Sequence, residues 1–198
     1  LEGFSFIAVE GDETDTGAID ARIDFEATHI IGDNGFFLVG NPNGLELTYG
    51  VTPNLEISNN FLENSSVTYA LVETSSLSGT AVTGAEVVVD SVALTDGGTG
   101  DVFFFNAPVV GPDGSFFPAG ARRVPDGVDT NTPADFVISD FSLSSANTPT
   151  AGTVATQPTV INEVLVSTTG ADVEFIEIFG EPGTSLAGLS LLNIEGDT

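Results

Sequence analysis

The chain has 198 residues with 29 acidic side chains, three arginines and no Lys, Cys, Met or Trp, for a formal net charge of −26. That balance excludes nucleic-acid binding through phosphate neutralisation and adhesion to an anionic membrane; the lack of Cys excludes disulfides and thiolate metal centres. A hydrophobic fraction of 41% with 15 Phe excludes a disordered acidic tail, because it supplies enough apolar material for a core.

Breakers are dense, with 23 Gly and 10 Pro, and short runs rich in Val, Ile, Phe and Thr lie between them. This pattern predicts an all-β protein. In chain order the expected strands are 3–9, 21–26, 35–39, 45–49, 67–73, 86–94, 102–106, 136–139, 160–167, 173–179 and 189–195. In the fifth, Val67, Tyr69 and Leu71 share one face, with Thr68, Ala70 and Val72 on the other. No segment shows a clear helical period, and no apolar run is long enough to span a membrane. Many short strands with frequent turns predict a β-sandwich or barrel. Residues 144–159 hold only small and polar residues with two prolines, which predicts a linker at 146–159. The chain is therefore read as the main part of a sandwich (1–145), a linker, and opening strands of a next sandwich (160–198).

Two segments repeat. Leu1-Glu-Gly-Phe-Ser-Phe-Ile-Ala-Val-Glu-Gly-Asp12 aligns without a gap on Leu186-Ala-Gly-Leu-Ser-Leu-Leu-Asn-Ile-Glu-Gly-Asp197, with six identities in twelve positions. The offset is 186 − 1 = 185 residues. This predicts a tandem or circularly shifted repeat that begins at a middle strand of one unit and ends at the same strand of the next. Leu1-Glu2-Gly3-Phe4 is neither a start Met nor a signal peptide, so the chain is expected to be a piece of a longer protein or a processed product.

Val160-Ile-Asn-Glu-Val164, Glu174-Phe-Ile-Glu-Ile178 and Leu186-x-Gly-Leu-x-Leu191 resemble the opening strands of a lamin-tail domain. Gly35–Asn41, Ser66–Leu71 and Val89–Val92 look like the family's middle strands. Arg123-x-Pro-Asp-Gly127, Asp135-Phe136 and Asn147-Thr-Pro149 look like the tail end of its bacterial, secreted members. The family's usual Trp is Phe4 in one copy and Leu189 in the other, and the spacing is long at 12–18 and 74–84. The resemblance implies an immunoglobulin-like β-sandwich and leaves activity open, because fold does not fix function.

The shifted order poses a pairing problem. The hairpin 160–179 can reach back to the chain's own 1–145 or complete a neighbouring unit. Two copies of one strand competing for one slot favour the neighbour, since the loser keeps an unpaired edge. Strand addition repeated head to tail without closing makes a filament. The expected function is thus a structural repeat or subunit of a secreted or cell-surface assembly, whose partners are copies of itself. Its expected assembly residues are Ile161, Val164, Phe175, Ile176, Ile178, Leu189 and Leu191, with Phe4 and Phe6 on the matching edge. Residues 160–198 folded entirely onto the chain's own 1–145, with no intermolecular sheet, would sink this reading. The alternative is a non-catalytic binding or accessory module of a large secreted protein or hydrolase, for glycan or Ca-dependent adhesion. The composition points to an extracellular or cell-surface setting in a marine or salt-adapted prokaryote, where salt screens the self-repulsion.

No enzyme is expected. The one imidazole, His29, stands beside two Ile with no nucleophile elbow in the chain, and chance pairs among 29 carboxylates carry no signal. Calcium is the expected cofactor if there is one, because it takes several oxygen ligands. Three loops concentrate them: Glu10, Asp12 and Asp15; Asp96 and Asp101; Asp126, Asp129, Asn131 and Asp135. Turn hydrogen bonding is the competing use, and in the third loop so is pairing with Arg122 and Arg123. Phe36-Phe37, Phe103-Phe104-Phe105 and Phe116-Phe117 point to burial or an interface, because neighbouring residues of a strand face opposite sides.

Overall fold

The computed structural model describes residues 7–9, 17–62, 65–112, 120–138, 159–166 and 173–195. In chain order they form β1 (Ile7–Val9), β2 (Ala21–Asp24), β3 (Phe36–Gly40), α1 (Pro42–Tyr49), β4 (Leu55–Glu56), β5 (Val67–Glu73), β6 (Val88–Leu94) and β7 (Val109–Val110). There follow β8 (Gly120–Arg123), β9 (Phe136–Val137), β10 (Val160–Leu165), β11 (Phe175–Phe179) and β12 (Leu189–Glu195). One sheet has the order β1-β12-β5-β6-β7, the other β4-β3-β11-β10-β8-β9. The protein is an all-β, two-sheet structure, as its composition predicts.

The main core lies between the sheets. Val67, Tyr69, Leu71, Val92, Leu94 and Leu191 meet Phe37, Val39, Ile161, Val164, Ile176 and Ile178 there. The alternation expected in β5 holds, yet both its faces are buried: Ala70 and Val72 belong to a second cluster with Leu192. Phe104 and Phe105 pack on that cluster from outside, with Ile19, Leu77 and Val82. On the outer face of the other sheet, Leu45 of α1 packs with Leu38, Leu165, Val173 and Phe175. Double coverage explains why β5 carries apolar residues on both faces rather than a strict apolar–polar alternation.

Two expected strands are corrected. Residues 45–49 lie in the helix α1. Asn41 caps it, accepting N–H bonds from Asn43 at 3.0 Å and Gly44 at 3.5 Å. Pro42 opens the first turn and Gly50 closes the last with φ 66°. An Asn cap, a first-turn Pro and a left-handed Gly are standard helix punctuation, and here they prevail over Leu-x-Leu-x-Tyr alternation. Residues 102–106 form no strand either, because Phe105 and Asn106 adopt φ of 61° and 54°. That left-handed bend folds Phe104 and Phe105 over β5 and β12, where their apolar area is covered. Of the other Phe runs, Phe37 is buried and Phe36 packs edge-on against Phe179. Phe116 and Phe117 lie outside the described residues, as do 139–158, which hold most of the expected linker.

Candidate functional site

The strands assigned to a neighbouring unit close this chain's own sandwich. β10 pairs with β8 and β11, and β11 pairs with β3, so the hairpin is inserted in the middle of its sheet. β12 lies antiparallel on β5 from Leu189↔Glu73 to Glu195↔Val67. Ile161, Val164, Phe175, Ile176, Ile178 and Leu191 are all buried, and Leu189 is half-buried against the same core. In the single chain these residues are core, not an exposed interface. Phe4 and Phe6 lie outside the described residues.

The two repeat copies are neighbours. β1 runs parallel to β12 with Ile7↔Leu192, Ala8↔Asn193 and Val9↔Ile194. The register difference is 192 − 7 = 185, equal to the repeat offset. Repeat-equivalent residues therefore stand side by side, one copy in the slot on β5 and the other at the sheet's edge. Within β12, Ser190 shares a hydroxyl bond with Thr74 at 2.9 Å. Asn193 is 1% exposed, and its Oδ1 has no hydrogen-bond partner among the described residues.

The most elaborate polar group is built on Arg123. Its position in β8 turns the side chain into the interior, where it is fully buried. The guanidinium donates two bonds of 3.1 Å to the Asp90 carboxylate on the opposite sheet, one of 2.8 Å to the Ile161 carbonyl and one of 3.1 Å to the Val128 carbonyl. It also pairs with Asp129 at 3.2 Å and Asp135 at 3.6 Å, and lies 4.4 Å over the Phe136 ring. Ile161 N–H donates to Asp90 at 2.7 Å. Burial pushes the Asp90 carboxyl upward, while Arg123 and the Ile161 amide oppose it. All three contacts on Asp90 are donors, so the ionised form fits them and a protonated one does not. One buried arginine thus ties both sheets and a loop together.

The carboxylates of the third calcium candidate bond to partners within the chain. Asp129 faces Arg123 and accepts the Asn131 N–H at 2.9 Å. Asp135 accepts from Thr130 N–H and hydroxyl at 2.8 and 2.6 Å, donors that lower its pKa against the upward push of burial. Asp126 points elsewhere, accepting from Asn162 at 3.0 Å. The second candidate does converge. Ser66 Oγ lies 2.8 Å from Asp101 Oδ2 and 3.1 Å from Asp96 Oδ1, and Thr95 donates to Asp101 at 2.7 Å. A methyl group at Gly98 would sit 2.6 Å from Asp101 Oδ1 and 3.0 Å from Asp96 Oδ1, so only glycine lets both carboxylates close in. Glu10, Asp12 and Asp15 lie outside the described residues, and among those described no three acidic or imidazole groups are set to hold a metal.

A carboxylate cluster was not foreseen. Glu177 on β11 and Glu163 on β10 are cross-strand partners, and Arg122 on β8 follows in the same row. Asn162 donates to Glu177 at 2.8 Å and to Asp126 at 3.0 Å, and accepts the Gly127 N–H at 3.1 Å. Burial, then the neighbouring Glu163, push the Glu177 pKa to about 8. Pairing the Ile-Asn-Glu and Phe-Ile-Glu strands in the hairpin's register would have revealed it, because the two Glu then stand opposite. The nearby Glu174 is buried and accepts the Phe61 and Leu62 N–H groups, both at 3.1 Å, pinning that turn to the sheet. His29 serves a turn, its Nδ1 accepting the Glu26 N–H at 3.0 Å while the ring packs on Phe25 and Phe37. No helix among the described residues is long and apolar enough to cross a membrane.

In comparison with known proteins, no family model matches the chain, and no curated protein or solved structure matches it.

Proposed function

We propose that the chain is a structural repeat or subunit of a secreted or cell-surface assembly, built from lamin-tail-like immunoglobulin sandwiches joined by strand addition. The observation that supports it is the pair of equivalent strands, β1 and β12, side by side in the repeat's own register. A self-contained sandwich needs one such strand for the slot on β5. A chain carrying two has one to share, and the hairpin that precedes β12 sits in the middle of its sheet, so a copy that received it would be completed by it. Closure within one chain and closure between chains use the same hydrogen bonds and core contacts. They differ in linker path and chain concentration, which is the balance that governs domain swapping.

Negative-stain microscopy and sedimentation of the full chain in high salt, over a range of concentrations, test this. End-to-end oligomers or filaments are expected. Monodisperse globules at every concentration would refute it. The second reading, a non-catalytic binding module, draws support from the closed single-chain sandwich and from the convergence of Asp96, Asp101 and Ser66 as a calcium candidate.

A further inference from the structure

We infer that β1 is an alternative occupant of the slot on β5, able to replace β12 in place and so release residues 189–195, with their hairpin, to a second copy of the chain. The inference deepens the strand-addition reading and rests on it for its partner. Three observations lead to it.

The first is geometry. β12 is antiparallel to β5, and β1 is parallel to β12, so β1 already runs in the direction the slot requires. It also has the right register, because Ile7 stands beside Leu192, the partner of Ala70. Exchange therefore needs a sideways step of one strand spacing, about 4.8 Å, with no reversal and no slip. A slip of one residue would have turned every side chain to the wrong face.

The second is chemistry. Beside Ile7, Ala8 and Val9 the slot holds Leu192, Asn193 and Ile194, opposite Ala70, Tyr69 and Thr68. At two of these three positions an apolar residue would replace an apolar one.

The third is the one polar mismatch. Asn193 buries an amide oxygen without a partner, and its counterpart is Ala8. A buried, unpaired acceptor carries a desolvation cost that alanine does not. The present occupant thus carries a defect that its neighbour lacks, which favours exchange at that position.

The absence of Cys allows a direct test by disulfide trapping in the full chain. In the closed arrangement residues 7 and 70 are two strands apart, about 9–10 Å, beyond the reach of a disulfide; after exchange they are direct partners. The double variant Ile7→Cys with Ala70→Cys is expected to form a 7–70 bond within one chain, enriched in oligomeric fractions. Leu192→Cys with Ala70→Cys traps the closed form and serves as the folding control. Adding Asn193→Leu to the first pair repairs the defect in β12 and should lower the 7–70 yield about tenfold. A control pair that forms its bond while 7–70 never does, at any concentration, overturns the inference. Oligomers lacking the 7–70 bond overturn it too and leave strand addition standing. The bond in monomers alone upholds the exchange and removes its link to assembly.

Discussion

Glu177 makes the stability of this protein fall as pH rises through neutrality. Its folded-state pKa of about 8 lies well above the ordinary glutamate value of 4.5. The folded chain therefore holds a proton that the unfolded chain has released between those two values. Because the native state binds the extra proton, the slope of unfolding free energy with pH is negative over that window, about −1.4 kcal/mol per pH unit at its centre. The stabilisation is present below pH 4.5 and is lost progressively up to about pH 8, with a ceiling of about 5 kcal/mol. Relaxation around the ionised group brings the loss below that ceiling. Glu177→Gln keeps an oxygen for the Asn162 amide and cannot ionise. Urea unfolding of the native protein and the variant at pH 5, 6, 7 and 8 in constant high salt measures the difference. The variant should match the native protein near pH 5 and exceed it by about 2–4 kcal/mol at pH 8. A difference that stays constant across the series would refute the reasoning, because general charge repulsion cancels in the comparison.

Other perturbations have definite outcomes. Arg123→Met leaves Asp90 buried without its guanidinium and should cost about 3–5 kcal/mol in urea unfolding, with Asp90→Asn added to the same chain recovering part of it. Asn41→Ala removes the cap of α1 and should cost about 1–2 kcal/mol by the same assay. If Asp96 and Asp101 hold calcium, the ion raises the melting midpoint of the native protein and not of Asp101→Asn; equal midpoints with calcium and with a chelator would remove that site.

How much could be read from the sequence depended on which rule was local. β5 and β12 were placed to the residue, β5 because a run of β-branched and aromatic residues leaves little choice, β12 because glycines at 188 and 196 bound its Leu-rich run. The helix at 42–49 was missed because Leu45, Leu47 and Tyr49 alternate, while its real signals are single residues at the ends, Asn41, Pro42 and Gly50. Residues 102–106 failed for the opposite reason. Consecutive Phe have high strand propensity, yet the outer face of β5 needed covering, a tertiary demand that sequence does not display. The third calcium loop was expected to deal with two arginines. Strand parity places Arg123 in the interior, and its bidentate partner, Asp90, comes from a strand 33 residues away. The Glu163–Glu177 row was invisible until the hairpin's register was known, since the glutamates are apart in sequence and meet only through pairing.

Three of the four edge strands are short. β4, β7 and β9 contribute two residues each. Such stubs offer little backbone for a passing molecule to pair with. The long strands, β5, β10 and β12, are all internal. If copies of this chain join through their sheets, an internal strand must first leave its place. The waiting time is then set by opening within one molecule and not by collision between two. Joining should therefore quicken steeply with temperature, as unfolding does, and respond weakly to dilution until opened chains become scarce.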